Sequence, residues 1–254
     1  MIFDGHWPAP PEDWMACDID LHVWLVGLEQ PAAILQRLAG VLVADELQRA
    51  QRFRFELDRQ HFIVARGTLR SILSSYLKIP PALVQLSYGL RGKPALAATC
   101  GNGRLRFNVS HSQALALYAV TYDRELGVDI EYMRPLDDAE SIATHFFSAR
   151  EQEALRRLPA HLKHQGFFNC WTRKEAYIKA TGEGLYQPLD GFDVSLTPDE
   201  PAELLGVLGK PGEVRRWSIQ ALQPPAGYAA ALAVEGAGWH LACWRWEMAG
   251  GYTC

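Results

Sequence analysis

The sequence predicts an α+β protein made of two similar subdomains, because the order of its elements repeats. In each half, strand-like segments precede a short helix with an acidic start, then a long helix and further strands. The chain has 254 residues, 48% of them hydrophobic, which is enough for sizeable cores. We expect two α+β subdomains related by pseudo-twofold symmetry, residues 1–124 and 125–254, with the ligand site in the groove between them.

The first half is predicted to begin with a strand from Asp20 to Leu25, which is rich in Val, Trp and Leu. Helices follow near residues 31–38 and from Asp45, a good N-cap residue. Residues 59–77 place apolar side chains on one stripe at helical spacing, which predicts a long amphipathic helix. An apolar strand is expected at 114–122.

The second half opens with a predicted strand from Leu126 to Tyr132. Ser148 and Glu151 have the spacing of a capping box and open a helix. A long helix is expected over residues 167–180, ended by Gly182 and Gly184. Further strands are predicted near 191–196, 216–221, 228–234 and 240–246.

Composition argues against several classes of protein. The net charge of −4 is unusual for a general nucleic-acid binder, which is normally basic. The five cysteines are scattered, without CxxC, which argues against a disulfide framework or a zinc finger. The apolar runs are too short to span a membrane, and the N-terminus lacks the pattern of a secretory signal. We expect a cytoplasmic protein without nucleic-acid or membrane partners.

The segment GVDIE, residues 127–131, carries two carboxylates on one face of a predicted strand. Residues two apart point the same way, so Val128 and Ile130 can enter the core while Asp129 and Glu131 project together. Paired carboxylates repel each other unless a cation intervenes, and hard oxygen ligands suit Mg²⁺. The alternative is the polar outer face of a half-exposed strand.

Glu175 and Lys179 lie one turn apart on the long helix of the second half. The simple interpretation is an exposed ion pair that contributes little. The neighbouring Phe167, Phe168 and Trp171 indicate instead that much of this helix is buried. A third carboxylate and a lysine near Asp129 and Glu131 would form a phosphoryl-transfer site.

The segment NVSHS, residues 108–112, offers small polar side chains and an imidazole that suit phosphate contacts. A Ser-His-Asp hydrolase is excluded, because adjacent Ser110 and His111 on an extended segment point to opposite faces. The alternative is a plain polar loop leading into the strand at 114–122.

Basic residues cluster in the first half, and they form either a solvated face or a polyphosphate site. The glycine-rich turn GLRGKP, residues 89–94, differs from the Walker A pattern. The basic set comprises Arg49, Arg52, Arg54, Arg59, Arg66, Arg70, Arg91 and Lys93.

Read together, these motifs resemble those of the 4'-phosphopantetheinyl transferases of the two-lobed Sfp type. The matching stretches are GKP at 92–94, FNVSHS at 107–112, GVDIE at 127–131, FFSAREQEAL at 146–155 and WTRKEAYIKATGEGL at 171–185. The resemblance implies Mg²⁺-dependent transfer of phosphopantetheine from coenzyme A to a serine of a carrier protein, with release of 3',5'-ADP. It also implies that a single chain, as a monomer, contains the whole groove.

The resemblance assigns roles to individual residues. It implies that Asp129, Glu131 and Glu175 are the metal ligands, that Glu175 is also the candidate base, and that Lys179 contacts the pyrophosphate. Asp129, Glu175 and Lys179 thus form the expected catalytic set. The residues expected to bind coenzyme A are Arg49, Arg66, Lys93, Asn108, Ser110, His111 and Lys179. The first subdomain would hold the 3'-phosphate and adenine, and the second the metal.

One departure and two alternatives accompany the resemblance. His61 stands where several relatives carry an arginine, which affects the expected 3'-phosphate contacts. The alternatives are a non-catalytic module that binds coenzyme A or a carrier, and a Mg²⁺-dependent phosphohydrolase. The expected partners are apo acyl carrier proteins, or peptidyl or aryl carrier domains of fatty-acid, polyketide or nonribosomal peptide synthases.

Overall fold

A computed structural model describes residues 7–14, 21–89, 93–100, 103–182 and 188–247. The predicted positions Asp20, Arg91, Gly92 and Gly184 lie outside these residues. The described part of the chain is an α+β fold, as predicted. None of its helices is long and apolar enough to cross a membrane.

The first half contains a strand, two short helices, a long helix, a small hairpin and two longer strands. In chain order they are β1 (Leu21–Gly27), α1 (Ala32–Ala39), α2 (Ala44–Ala50), α3 (Glu56–Leu77), β2 (Leu86–Tyr88), β3 (Pro94–Leu96), β4 (Leu105–Ser112) and β5 (Leu115–Tyr122).

The second half repeats this order, with a one-turn helix and a last strand added. Its elements are β6 (Leu126–Tyr132), α4 (Ala139–Phe146), α5 (Ala149–Arg157), α6 (Ala160–Thr181), β7 (Phe192–Val194), β8 (Leu204–Val207), α7 (Glu213–Arg216), β9 (Trp217–Leu222), β10 (Tyr228–Glu235) and β11 (Leu241–Arg245). The long helices α3 and α6 have 22 residues each. The predicted similarity of the two halves is confirmed.

The two main sheets have matching topology. The order is β11-β1-β5-β4 in the first sheet and β6-β10-β9 in the second. In both, the opening strand of the half pairs antiparallel with its last long strand. The strand β11 runs parallel to β1, so the end of the chain completes the first sheet. The proposed division at 124/125 falls between β5 and β6 and stays a prediction.

Alternation along the strands builds three cores. Leu21 and Val23 of β1 face a core shared between the two sheets, together with Val128 of β6. The intervening Trp24 and Val26 face the helices of the first half. A third core lies between the second sheet and α6. The sheets therefore pack face to face, with helices outside each one.

A buried ion pair fixes each long helix at an equivalent place. In the first half, Glu46 accepts two hydrogen bonds from Arg70, at 2.7 and 3.0 Å. In the second half, Lys174 Nζ lies 2.8 Å from Glu151 Oε2. Each carboxylate also accepts the backbone N–H three residues before it, so it closes the helix start as well.

The structure differs from the sequence-based expectations in two details, excludes one alternative and lengthens one helix. The N-cap of α2 is Val43, and Asp45 lies in the first turn, because Glu46 caps the N–H of Val43. Arg70 is 2% exposed and bound to Glu46 and to backbone carbonyls, so it is not available to a polyphosphate. The segment NVSHS is the end of strand β4, which agrees with the extended segment assumed for Ser110 and His111 and excludes the alternative of a plain polar loop. The helix α6 also begins earlier than predicted, at Ala160.

Gly127 allows α6 to lie directly on β6. A Cβ at this position would stand 2.2 Å from the carbonyl oxygen of Ala176 and 2.3 Å from the backbone nitrogen of Ala180. Both atoms belong to the helix backbone, which cannot rotate away. Gly127 shares its strand face with Asp129 and Glu131, so the close approach brings α6 to the two carboxylates.

We expect Gly127→Ala to destabilise the fold by about 3 kcal/mol or more, because the helix must move as a whole. Chemical denaturation of both proteins measures this. Gly212→Ala is the matched control, since a Cβ there meets nothing within 4 Å, and its unfolding midpoint should match that of the unmodified chain. An unchanged midpoint for Gly127→Ala would contradict the close contact between β6 and α6.

Candidate active site

The strands β4 and β6 lie side by side and are joined by side chains. Asn108 Oδ1 accepts from the N–H of Val128 at 2.9 Å, and Ser112 Oγ accepts from the N–H of Tyr132 at 3.0 Å. Between them, Ser110 Oγ accepts from the N–H of Ile130 at 3.4 Å. The constant offset of 20 residues means that the strands run parallel. We call these three contacts the seam.

Asp129 lies at the centre of the site and faces α6. It is 2% exposed. Its Oδ1 accepts from Lys179 Nζ at 2.6 Å and from Ser110 Oγ at 2.8 Å. Lys179 Nζ also lies 2.9 Å from Ser110 Oγ. Lys179 therefore forms its ion pair across to β6 and not along its own helix with Glu175, which corrects the surface-pair interpretation.

All three predicted metal-binding carboxylates have raised pKa values. Burial raises the pKa of Asp129, with Lys179 and Ser110 opposing the shift. Burial and then the charge of Asp129 raise the pKa of Glu131, while the hydrogen bond from Ser112 opposes it. Burial, Asp129 and Glu131 raise the pKa of Glu175. Together the three carboxylates therefore produce a negative electrostatic potential that favours a bound cation.

The donor set fits Mg²⁺, which prefers carboxylate oxygens. Among the described residues, Asp129 Oδ2 is fully buried and has no hydrogen-bond partner, a costly state that a bound cation would relieve. No three His, Cys, Asp or Glu side chains of the described ranges already stand together as a metal cage.

Lys93, from the first half, bonds to the backbone of β6 and α6 beside the site. Its Nζ donates to the carbonyl of Lys179 at 2.6 Å and to that of Leu126 at 3.4 Å. Burial lowers its pKa. Lys93 borders an open cavity of about 560 Å³ that is also lined by Arg106, Phe107 and Glu125. Another cavity, of about 340 Å³, opens at the other end of the seam beside Ser112, Glu131 and Trp171.

The predicted arginines differ in availability. The guanidinium of Arg49 lies over the Phe62 ring at 5.3 Å. Arg66 donates to the Tyr88 hydroxyl at 2.6 Å and lies 3.5 Å from Glu46. Within the described chain, Arg66 Nη1 and His61 Nε2 are buried and have no hydrogen-bond partner. These two nitrogens on α3 are therefore available as hydrogen-bonding groups, as is the buried Oγ1 of Thr68 on the same helix.

The NVSHS residues alternate as an extended strand requires. Asn108 and Ser110 are buried in the seam, whereas His111 is exposed on the opposite side. Desolvation lowers the pKa of His111, and the nearby Lys179 and His61 lower it further. Ser112 was missed as a site residue, although its two-residue spacing from Ser110 could have indicated it. The coenzyme A roles assigned to Asn108, Ser110 and His111 stay predictions.

A two-lobed α+β chain with carboxylates and lysines along the junction of its lobes fits the class of phosphate-handling transferases. Comparisons with known proteins make this specific. The family described as the 4'-phosphopantetheinyl transferase superfamily matches residues 125–233, and its N-terminal counterpart, "4'-phosphopantetheinyl transferase, N-terminal", matches residues 31–122.

Curated relatives agree with both matches. The 4'-phosphopantetheinyl transferase HetI of a Nostoc species is 45% identical over 94% of this chain and 97% of its own length. The 4'-phosphopantetheinyl transferase Sfp of Bacillus subtilis is 27% identical over 65% of this chain and 70% of its own. The chain belongs to the 4'-phosphopantetheinyl transferase superfamily, and the resemblance predicted from its motifs is confirmed.

The raised pKa of Glu175 predicts how ionisation of this carboxyl affects the stability of the folded protein. A carboxyl whose pKa is higher in the folded than in the unfolded state contributes stability at low pH, which is lost as pH rises through the folded pKa. Without a cation, Glu175→Gln should therefore raise the Tm at pH 7.5 by about 1 °C or more, with the gain vanishing near pH 4. Thermal melts in EDTA measure this.

The exposed Glu12→Gln serves as the control for a surface charge change and should leave the Tm unchanged. A lower Tm for Glu175→Gln at pH 7.5 would mean that Glu175 is held by favourable contacts and is not repelled by Asp129 and Glu131.

Proposed function

We propose that this chain transfers 4'-phosphopantetheine from coenzyme A to a serine hydroxyl of an apo carrier protein and releases 3',5'-ADP. The observation that carries the proposal is the buried Asp129, with one oxygen held by Lys179 and the other unpartnered, next to two further carboxylates of raised pKa. A protein that only binds coenzyme A has no need for this costly arrangement.

Asp129, Glu131 and Glu175 would hold Mg²⁺. When bound, the ion neutralises the charge of the coenzyme A pyrophosphate as the bond to the leaving group breaks. The chain's own contribution is to hold three carboxylates on two rigid elements, β6 and α6, whose separation is fixed by Gly127.

The reaction forms one bond and breaks another. The serine oxygen of the carrier attacks the β-phosphorus of coenzyme A, and the bond from that phosphorus to the bridging oxygen of the 3',5'-ADP breaks. The serine proton needs an acceptor, and Glu175 is suited because its raised pKa makes it a better base than an ordinary glutamate. Lys179 stabilises the negative charge on the departing phosphate.

Coenzyme A binding is proposed for the basic residues along the junction. Lys93 borders the 560 Å³ cavity, and His111 lies on the face of β4 near Lys179 and His61. Arg49 and Arg66 are proposed for the 3'-phosphate, and the buried orphan nitrogen of Arg66 supports this assignment. The 560 Å³ cavity is then the candidate site for the nucleotide part of the molecule.

The carrier serine is proposed to enter from the 340 Å³ cavity, because Glu131 and Trp171 line it directly. Its wall combines apolar side chains with Arg134, which suits a transient contact with an acidic helical partner. The partners are acyl carrier proteins or carrier domains of fatty-acid, polyketide or nonribosomal peptide synthases. Both lobes come from one chain, so we propose that the protein acts as a monomer. We also propose a cytoplasmic location.

The transfer is tested by incubating the protein with coenzyme A, Mg²⁺ and a panel of apo carrier proteins, and by measuring the mass of each carrier. A gain equal to one phosphopantetheine group is expected. Asp129→Ala should abolish it at ordinary Mg²⁺, while Glu131→Ala should be milder, because water can replace one ligand on Mg²⁺. Phosphate release from coenzyme A without a carrier would indicate a phosphohydrolase, and coenzyme A binding without either product would indicate a binding module.

Glu175 and Lys179 should differ in their kinetic effects. Glu175→Gln removes the proposed base and should lower kcat about 10²–10⁴-fold. Lys179→Ala should lower kcat more than it weakens coenzyme A binding, because it acts on charge that grows in the transition state. Steady-state kinetics and calorimetric coenzyme A titrations measure both. A kcat near that of the unmodified chain in both variants would refute the mechanism.

A further inference from the structure

Each hydrogen bond of the two seam serines, Ser110 and Ser112, has a definite donor and a definite acceptor. A hydroxyl group has one proton to donate and two lone pairs to accept with. A backbone N–H can only donate, so each seam contact from β6 occupies a lone pair and leaves the serine proton for another group. The N–H groups of β6, together with the chemistry of the remaining partners, therefore fix the direction of the bonds at Ser110 and Ser112.

Ser112 illustrates this with two contacts. Its Oγ accepts from the N–H of Tyr132 at 3.0 Å and lies 2.9 Å from Glu131 Oε2. The ionised carboxylate can only accept, so the Ser112 proton points at Glu131. A charge-assisted bond of this kind holds the carboxylate in one rotamer.

The hydroxyl of Ser110 uses its one proton and both of its lone pairs. It accepts from the N–H of Ile130 at 3.4 Å and from Lys179 Nζ at 2.9 Å, and it donates to Asp129 Oδ1 at 2.8 Å. Ser110 is 7% exposed. No hydrogen-bonding capacity of this hydroxyl is left for coenzyme A.

We propose that Ser110 and Ser112 are positioning residues, whose hydroxyls, oriented by the backbone of β6, hold the carboxylates of Asp129 and Glu131 for a divalent cation. This inference rests on the proposed function of the carboxylates. It reassigns Ser110 from binding coenzyme A to orienting Asp129, and it gives Ser112 a role in the site. Partners that orient metal ligands commonly affect metal affinity 10- to 100-fold.

The arrangement has a structural logic. Asp129 and Glu131 alternate with Val128, Ile130 and Tyr132, whose N–H groups bond to the seam. The same serine therefore holds the strand by the N–H of one residue and the preceding residue by its carboxylate. Strand position and carboxylate orientation are coupled, which limits the freedom of both ligands before the cation arrives.

The test is calorimetric titration of the protein with Mg²⁺ alone, without coenzyme A. Ser112→Ala should weaken Mg²⁺ binding about tenfold or more. Ser112→Thr keeps the hydroxyl and should stay within about threefold of the unmodified chain. Because Ser112 has a single carboxylate partner, it gives a cleaner result than Ser110, which also contacts Lys179.

Asn108→Ala is the matched seam control. It removes the third seam contact, in which Asn108 accepts from the N–H of Val128. In the seam, Asn108 bonds to this backbone group and to neither Asp129 nor Glu131. Its Tm should fall at least as far as that of Ser112→Ala, since Asn108 is buried, while its Mg²⁺ affinity should stay unchanged. Equal losses of Mg²⁺ affinity in both variants would show that seam packing matters and overturn the positioning role.

Kinetics separate this proposal from the proposed function. At saturating carrier, Ser112→Ala should raise the KM for Mg²⁺ and leave the KM for coenzyme A unchanged. Unaltered Mg²⁺ affinity in Ser112→Ala would overturn the positioning role even if transfer is observed. If the unmodified chain binds Mg²⁺ but modifies no carrier, the proposed function fails while the Mg²⁺ comparison still decides the role of Ser112. Should Ser112→Ala not fold, Ser112→Cys, a much weaker donor, replaces it with the same expected direction.

Discussion

The seam between β4 and β6 is the interaction on which the rest of the site depends. The N–H groups of Val128, Ile130 and Tyr132 need partners, and polar side chains of β4 provide them in place of a direct backbone ladder. Of the described strands, β4 ends one sheet and β6 ends the other. Side chains thus join the two halves of the molecule at the place where the chemistry is proposed.

The seam also explains how the buried Asp129 can lie beside two half-buried carboxylates, those of Glu131 and Glu175. Each one has a raised pKa, so their charges destabilise the fold in the absence of a cation. Lys179 and the seam hydroxyls offset part of this cost. The remaining unfavourable field is what a divalent cation would relieve, so the energetic cost of the site and its proposed activity have the same origin.

Local patterns predicted much of this arrangement. The two-residue period of GVDIE correctly predicted β6 and the shared face of Asp129 and Glu131, and helical spacing predicted α3 and α6. The strand β4 was less evident, because Asn108, Ser110 and Ser112 have the composition of a loop, and only their partners on β6 make them strand residues. Non-local pairing cannot be read from such a segment alone.

Two other features depend on tertiary contacts in the same way. Spacing paired Lys179 with Glu175, whereas packing of α6 on Gly127 brings Lys179 to Asp129. Arg70 had the pattern of a surface residue, and its burial depends on Glu46, which lies 24 residues away. In both cases the nearest partner in space belongs to another element.

The two halves share a topology, but only the second carries the carboxylates of the candidate site. The difference lies in the side chains on equivalent faces of β6 and β1. The face of β6 toward α6 carries Asp129 and Glu131, whereas the face of β1 toward α3 carries His22 and Trp24. Both of these side chains bond to the Tyr76 hydroxyl, and burial lowers the pKa of His22 to about 4, so it is neutral at pH 7.

This contrast explains why one chain can provide both sides of a groove without duplicating its charges. A second pair of carboxylates at the equivalent positions of β1 would add negative charge, which would repel the phosphates of a polyphosphate ligand. The aromatic cluster around Tyr76 in the first half stabilises the fold without adding charge at pH 7. The positive charge of that half includes Arg49 and Arg66, which contact Phe62 and Tyr88. Carboxylates on the second half and arginines on the first would together suit an asymmetric polyphosphate ligand with a bound cation, as the proposed function requires.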